Sequence, residues 1–256
     1  MLLAGAVALG LMIGVWLLSL ALKDASIVDS FWGLGFVAIA WVSYAAGDGW
    51  QTRGLLVAVL VTVWGLRLSV HIGRRNVGKA EDYRYAAMRR KYGNRFWLVS
   101  LGTVFVLQAA IMWVVSLPVQ MAQVSALPDH LTVLDALGTL VFLAGLGFEA
   151  IGDLQLERFK ADESNSGKVM DRGLWRYTRH PNYFGDATVW WGLFLITLSH
   201  TEYWWTLVGP VMMTFFLTRV SGVPLLERRM ARTRPGYAQY MERTSGFIPL
   251  PPKATR

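Results

Sequence analysis

The feature that most constrains the fold of this chain is a succession of apolar runs, each about as long as a bilayer-spanning helix. The first two cover about Leu2–Leu22 and Ile27–Ala46, and a spanning helix needs roughly 20 mainly apolar residues. The chain of 256 residues is 54% hydrophobic and only 16% charged, which is more apolar than an ordinary soluble domain. We therefore expect an all-α, polytopic integral membrane protein.

Five further runs bring the expected number of transmembrane helices to about seven. They lie at about residues 55–72, 96–117, 133–153, 181–198 and 204–220. No basic stretch precedes the first run and no small-residue cleavage site follows it, so we expect a retained span rather than a signal peptide. No internal repeat or long linker divides the sequence, which indicates a single transmembrane domain over residues 1–256.

Lysine and arginine are concentrated in alternate connections between these runs. The segments 73–95, 154–180 and 225–256 are strongly basic, whereas 118–132 contains neither residue. Because basic loops tend to remain in the cytoplasm, we expect the basic segments there and the amino terminus outside. A net charge of +8 would also suit a protein that binds nucleic acid. Because the basic residues lie in loops between the spans, membrane lipids and an anionic ligand are favoured instead, and we expect no nucleic-acid partner.

A dense polar stretch lies between the fifth and sixth runs, at Gly173–Asp186 (GLWRYTRHPNYFGD). Pro181 suits a first helical position because it has no backbone N–H to lose there. A helix that begins at Pro181 would direct its N–H groups, together with Arg176, Arg179 and His180 before it, at an anion such as phosphate. Asn182 and Asp186 would share one face of that helix. The alternative is an ordinary basic loop in which Asp186 makes a structural contact.

Other polar residues fall within or beside the apolar runs, where they are costly unless they are paired or bind a ligand. They include Asp29, Arg67, His71, Glu149, Asp153, Arg219 and Glu227. Arginines with carboxylates suit a dinucleotide, because guanidinium binds phosphate and carboxylate accepts hydrogen bonds from ribose hydroxyls. The lack of a Gly-x-Gly-x-x-Gly or Walker motif excludes a Rossmann or P-loop site. The chain has no cysteine and no His-x-x-x-His pair, and we expect no metal site.

The stretch Gly173–Asp186, with Asp153 before it and Arg219 after it, resembles the carboxy-terminal signature of the steroid 5-alpha-reductase family. It is most similar to the bacterial branch long described as a domain of unknown function. The resemblance is specific over about the second half of the chain and loose over the first. The core Arg-His-Pro-x-Tyr-x-Gly also occurs in isoprenylcysteine carboxyl methyltransferases, which bind S-adenosylmethionine. The extension to Asn182 and Asp186 is more similar to the reductases.

The resemblance implies an oxidoreductase of a bacterial inner membrane that uses NADPH on its cytoplasmic side. The expected reaction reduces a carbon–carbon double bond conjugated to a ketone, in a steroid-like lipid such as a 3-oxo-4-ene steroid. Residues 1–117 would form mainly the substrate half, and 118–256 mainly the cofactor half. The expected cofactor-binding residues are Arg67, Glu149, Asp153, Lys160, Tyr177, Arg179, His180, Asn182, Asp186, Arg219 and Glu227.

The resemblance also implies a pair of groups that polarise the ketone, namely a glutamate of the second helix and a tyrosine of the third. Asp29 matches the acid, but Trp64 occupies the place of the tyrosine, which leaves Trp64 or His71 as the second catalytic donor. A carboxyl group that apolar surroundings keep neutral can donate a hydrogen bond to a developing enolate. Alternatively, Asp29 is a helix-capping acid, and His71 is a polar residue near a helix end.

Two other functions remain open at this point. One is a membrane methyltransferase that uses S-adenosylmethionine, and the other is a lipid- or sterol-binding protein without enzymatic activity. We expect the protein to be a monomer that binds a lipid-like small molecule.

Overall fold

The computed structural model describes residues 1–220 and 222–253, and the regular structure of these residues is helical, with one isolated bridge between Thr178 and Ser245 and no strand. Their α-helices are α1 (Leu2–Leu22), α2 (Ile27–Ala46), α3 (Gln51–Asn76), α4 (Tyr83–Tyr92), α5 (Phe96–Ser100), α6 (Leu107–Val115), α7 (Leu117–Val124), α8 (Val133–Ala161), α9 (Pro181–Thr197), α10 (Val208–Phe215), α11 (Val223–Thr233) and α12 (Tyr237–Arg243). The basic tail predicted over 225–256 is described as far as Lys253, and its last three residues lie outside the described part.

Six helical stretches in the described part of the chain are long and apolar enough to cross a membrane. They are Leu2–Leu22, Ile27–Ala46, Gln51–Asn76, Tyr83–Val115, Val133–Ala161 and Thr201–Thr233. The expected all-α, polytopic membrane fold is thereby confirmed. The expected count of about seven also includes α9, which has 17 residues. At 1.5 Å per residue α9 is about 26 Å long, slightly less than the roughly 30 Å hydrocarbon core of a bilayer.

Helix boundaries agree with the sequence wherever an apolar run ends abruptly. α1 and α2 have the predicted bounds, and α9 begins at Pro181 as predicted. α3 and α8 are longer than the apolar runs within them, because their polar last turns remain helical. The predicted outer connection 118–132 contains the additional helix α7, with Pro118 in its first turn.

The chain divides into two compact units. The first unit comprises Met1–Thr132 and Thr197–Gly209, and the second comprises Val133–Ile196 and Pro210–Arg256. The division of function between 1–117 and 118–256 stays a prediction.

In the first unit, α2 and α3 approach each other closely through two glycines. A Cβ atom added to Gly33 would lie 2.2 Å from the carbonyl oxygen of Gly65, and one added to Gly65 would lie 2.6 Å from that of Gly33. Beside this contact, Phe36 packs edge-on against Trp64 with a centroid distance of 5.6 Å. Trp64 is fully buried. Small residues at a helix contact let the backbones approach, which is the usual way in which membrane helices pack.

In the second unit, α8 and α9 pack through glycines that recur every seven residues. A Cβ atom on Gly138 would lie 2.6 Å from the Gly192 carbonyl oxygen, and one on Gly145 would lie 2.7 Å from that of Gly185. The next glycine of α8, Gly152, lies against the ring of Pro181 at the start of α9. The two helices are therefore antiparallel and in close contact from Gly138 to Gly152.

We expect Gly185→Ala to destabilise the protein, because the new Cβ atom would lie 2.4 Å from the backbone nitrogen of Glu149. Overpacking of this kind costs about 1–3 kcal/mol, which thermal unfolding of the detergent-solubilised protein would measure. The matched control is Gly147→Ala on α8, where a Cβ atom meets nothing within 4 Å. Unchanged or higher stability of Gly185→Ala would contradict the close packing of these helices.

Candidate functional site

The segment that precedes α9 is held in place by α8. Trp175 is buried, and its indole nitrogen donates a hydrogen bond of 3.0 Å to the carbonyl oxygen of Gly152. The side chain of Gln155 accepts a hydrogen bond of 2.9 Å from the backbone of Leu174. Gly173 has a φ of +57°, which favours glycine, and a Cβ atom there would lie within 2.6 Å of the Gln155 amide.

The carboxy-terminal tail completes this segment from its other side. Tyr240 donates a hydrogen bond of 2.5 Å from its hydroxyl to the carbonyl oxygen of Trp175. Three further hydrogen bonds join the two segments: Thr178 Oγ1 to the Phe247 carbonyl at 2.8 Å, Arg179 N to the Ser245 carbonyl at 2.9 Å, and Leu250 N to the Tyr177 carbonyl at 3.0 Å. The tail is thus an integral part of the second unit.

Arg179 and His180 lie where the sequence predicts, immediately before the helix that begins at Pro181. Both contact Glu227: Arg179 Nε lies 2.7 Å from Glu227 Oε1, and His180 Nε2 lies 3.2 Å from the same atom. The imidazole of His180 is buried and stacks on Tyr183 at a centroid distance of 5.5 Å. The structure therefore brings together three of the predicted cofactor-binding residues.

The guanidinium group of Arg179 also holds the tail. Its Nη1 atom donates to the carbonyl oxygens of Thr244 and Met241, at 2.5 and 3.0 Å. With the contact to Glu227, these bonds engage two of its three nitrogens in contacts within the protein. The sequence predicts Arg179 as a phosphate ligand, whereas the observed contacts stabilise the fold around the start of α9.

A second group of predicted residues lies where α8 and α9 meet, and we call it the α8–α9 polar cluster: Glu149, Asp153 and Asn182. Asn182 Nδ2 donates a hydrogen bond of 3.1 Å to Asp153 Oδ1. Glu149 and Asp153 are buried, at 2% and 8% exposure. Gly185 lies against the backbone of Glu149, and the next residue, Asp186, is half-buried. The structure thus places the acids of α8 beside the first turns of α9.

The remaining predicted residues of the second unit lie at its surface. Lys160 is exposed in the last turn of α8, and Tyr177 is 44% exposed in the segment before α9. Arg219 is exposed in the π-helical turn Phe216–Val220 that follows α10. Their assignment to the cofactor stays a prediction.

In the first unit, Asp29 lies in the first turn of α2 and contacts α4. Its Oδ1 atom accepts a hydrogen bond of 2.9 Å from the Tyr85 hydroxyl, and its Oδ2 atom accepts one of 2.8 Å from Arg84 Nη2. We call these three residues the Asp29 group. Both carboxylate oxygens act as acceptors in these contacts. The sequence predicts a carboxyl group in apolar surroundings, whereas the structure places two polar side chains of α4 against it.

A second acid strengthens the attachment of α4. Glu81 accepts hydrogen bonds from Arg89 Nη2 at 2.7 Å and from the backbone nitrogen of Ala25, just before α2, at 2.8 Å. Burial opposes ionisation of Glu81, but these hydrogen bonds and the charge of Arg89 outweigh it and lower its pKa below the usual range. Glu81 is therefore ionised at neutral pH and links α4 to the start of α2.

Arg84 and Tyr85 are the residues of this group that the sequence analysis missed. They lie in the basic segment 73–95, whose charge and tyrosines predict a cytoplasmic loop and not a contact with α2. A local signal was available: Asp82 precedes them as a helix N-cap, and its side chain accepts a hydrogen bond of 2.9 Å from the backbone nitrogen of Arg84. A capping acid before an aromatic and basic run predicts a helix, although not its contact with Asp29.

The other predicted residues of the first unit all belong to α3. Trp64 is fully buried, as described above, whereas Arg67 and His71 are half-buried towards the carboxyl end of the helix. The burial of Trp64 is what core packing requires, and its role as a catalytic donor stays a prediction, as do the roles of Arg67 and His71.

Comparison with known proteins connects this architecture to one family. The family model described as a protein of unknown function (DUF1295) matches residues 15–244. A similar protein is the uncharacterized protein C594.04c of Schizosaccharomyces pombe, which is 24% identical over 270 residues that cover 92% of this chain and 75% of the relative. No solved structure matches the chain. The family match includes the α8–α9 polar cluster, the Asp29 group and the whole stretch Gly173–Asp186.

We expect Glu227→Ala to loosen the tail, because Arg179 and His180 would lose their shared acceptor. Removing one partner of a largely buried ion pair costs about 3 kcal/mol. Limited trypsin digestion would measure faster cleavage within the arginine-rich tail. Glu242→Ala, which removes an exposed acid of the same tail, is the control and should leave the cleavage rate unchanged. Equal protection of Glu227→Ala and the parent protein would contradict this function of the ion pair.

Proposed function

This chain belongs to the family described as a protein of unknown function (DUF1295), and on that premise we propose that it is an NADPH-dependent membrane reductase of the steroid 5-alpha-reductase type. The proposed reaction reduces a carbon–carbon double bond conjugated to a ketone in a steroid-like lipid. The observation that carries the proposal is the α8–α9 polar cluster, which contains two buried carboxylates and an amide. The stretch Gly173–Asp186, which resembles the signature of those reductases, supports it.

The residues of this cluster suit the ribose and carboxamide groups of a nicotinamide nucleotide. The carboxylates of Glu149 and Asp153 accept hydrogen bonds, and hydroxyl and amide groups donate them. Asn182 both donates and accepts, and its hydrogen bond to Asp153 fixes its orientation. NADPH, when bound, supplies the hydride. The residues of the cluster contribute binding and orientation, which is the main contribution of a protein to cofactor chemistry.

Two of the three guanidinium nitrogens of Arg179 are engaged within the protein, so the phosphate groups of the nucleotide call for further cations. Lys160 and Arg219 are exposed and are among the predicted cofactor residues, so they are the candidates for this contact. Arginine binds phosphate through two parallel hydrogen bonds, whereas lysine acts as a point charge.

We assign polarisation of the ketone to the Asp29 group. Addition of hydride to the β-carbon of an enone places negative charge on the ketone oxygen, and a preorganised donor stabilises that charge. The single hydroxyl hydrogen of Tyr85 is bonded to Asp29 in this structure and would turn to the ketone oxygen when substrate binds, while Arg84 adds a positive charge and further N–H donors beside it. Asp29 positions both residues through its two carboxylate oxygens before substrate binds. This assignment revises the expected role of Asp29 from a direct donor to an acceptor that positions its neighbours.

A membrane methyltransferase is the second candidate, because the same polar cluster is rich in acids. Glu149, Asp153 and the nearby Asp186 would also suit the positively charged sulfonium group of S-adenosylmethionine. The shared Arg-His-Pro core, beginning at Arg179, is compatible with either cofactor. The choice between them rests on binding measurements.

We expect the detergent-solubilised protein to bind NADPH, and Asn182→Ala to weaken that binding about fivefold, since one hydrogen bond contributes on the order of 1 kcal/mol. Isothermal titration calorimetry with NADPH and with S-adenosylmethionine would measure both affinities. Asn94→Ala, an exposed amide outside the cluster, is the control. Tight binding of S-adenosylmethionine without binding of NADPH would favour the methyltransferase, and binding of neither would favour a lipid-binding protein.

We expect Tyr85→Phe to retain NADPH binding but to reduce turnover of a 3-oxo-4-ene steroid on the order of a hundredfold, as the loss of one oxyanion donor does. Asp29→Asn should also reduce turnover, because an amide replaces one acceptor oxygen of the Asp29 group with a donor. Oxidation of NADPH, with the product identified by mass, measures the rate. Tyr92→Phe on the same helix is the control. Full activity of Tyr85→Phe would remove Tyr85 from the mechanism.

A further inference from the structure

A cavity of about 540 Å³ lies in the second unit beside the segment that precedes α9. One wall is the turn that contains Asp171, Arg172 and Arg176, and the other is the end of α12 with the tail, including Arg243 and Lys253. Small-molecule sites typically have volumes of about 300–1,000 Å³, so the cavity has room for a ligand. Arg176 is among the residues that the sequence predicts to face an anion, but none of the lining residues belongs to the predicted cofactor-binding set.

The walls of this cavity are joined by hydrogen bonds. Tyr240 of α12 is bonded to the backbone of Trp175 in the opposite wall, as described above. Within the tail, the backbone nitrogen of Lys253 donates a hydrogen bond of 2.9 Å to the carbonyl oxygen of Arg243. The cavity is therefore a feature of the folded tail.

The lining of the cavity is strongly cationic. It contains four basic residues and one acid, and the acid, Asp171, forms an ion pair with Arg243. In the described part of the chain, Arg176 and Lys253 have no carboxylate within 4 Å. Arg172 interacts with Asp162 only as a longer-range charge. Positive charge is thus in excess around the cavity and is not neutralised by the neighbouring acids.

We propose that this cavity binds a phosphate-bearing ligand no larger than a mononucleotide. Guanidinium groups match the geometry of phosphate oxygens and form paired, charge-assisted hydrogen bonds with them. Arg172 and Arg176 in one wall and Arg243 and Lys253 in the other place cations on both sides of the bound phosphate. The phosphate belongs either to a soluble nucleotide or to a lipid headgroup. The proposal does not rest on the reductase activity.

The test compares two sources of phosphate with the full-length protein. Adenosine 2′,5′-bisphosphate, titrated calorimetrically into detergent-solubilised protein, represents a soluble nucleotide. Retention of phosphatidic acid, counted by native mass spectrometry after transfer from nanodiscs of phosphatidylcholine and phosphatidic acid, represents a lipid headgroup. Arg176→Ala and Lys253→Ala remove cations that have no ion pair with a described residue, so these variants should fold. Arg232→Ala removes an exposed arginine of α11 and is the matched control.

We expect saturable binding of at least one probe. Arg176→Ala and Lys253→Ala should each weaken it about three- to tenfold, and Arg232→Ala should leave it unchanged. Binding of the bisphosphate identifies a soluble ligand, and binding of phosphatidic acid alone identifies a lipid headgroup. Absence of both, or equal weakening by Arg232→Ala, would overturn the proposal. Adenosine 2′,5′-bisphosphate is also part of NADPH, so weaker binding by Arg176→Ala and Lys253→Ala assigns the probe to this cavity, and Asn182→Ala should leave its affinity unchanged. Bisphosphate binding that only Asn182→Ala weakens would overturn the proposal.

Discussion

The close approach of α8 and α9 is the constraint on which the second unit depends. Gly145 and Gly185 let the two backbones come into contact, and this contact brings the buried acids of α8 beside the first turn of α9. Gly152 has a further function, because its carbonyl oxygen accepts the hydrogen bond from Trp175 that orients the segment before Pro181. The chemistry of the site therefore depends on the packing of small residues: without it, the acids of α8 would not lie at the start of α9.

The carboxy-terminal tail positions the charged residues that precede α9, as the glycine contacts position the acids of α8. An arginine near a membrane-embedded helix is costly unless its donors are satisfied, and Arg179 finds acceptors in Glu227 and in two tail carbonyls. Its charge is largely neutralised within the protein, while Arg176, three residues earlier, projects into a cavity with other cations. Two nearby arginines thus have different functions, and the difference arises from how the tail folds over the segment.

The sequence predicts those features that depend on local pattern. The ends of α1 and α2 follow from apolar runs, the start of α9 follows from the missing N–H of Pro181, and the convergence of Asp153 with Asn182 follows from helical spacing and a resemblance. The missed contacts join residues far apart in the chain. Asp29 and Arg84 are separated by 55 positions, and charge and periodicity do not indicate which basic residue of a loop reaches an acid.

The seven-residue spacing of the glycines also fixes the register of α8 against α9. Sliding one helix along the other by a single residue would move a larger side chain into the place of Gly138 or Gly145, where there is no room for even a Cβ atom. The positions of Asp153 and Asn182 along the two helix axes are therefore set by the contact between the backbones, and not by the hydrogen bond that joins the two side chains. Loss of that hydrogen bond would therefore change the side chains of the cluster without moving the helices that carry them.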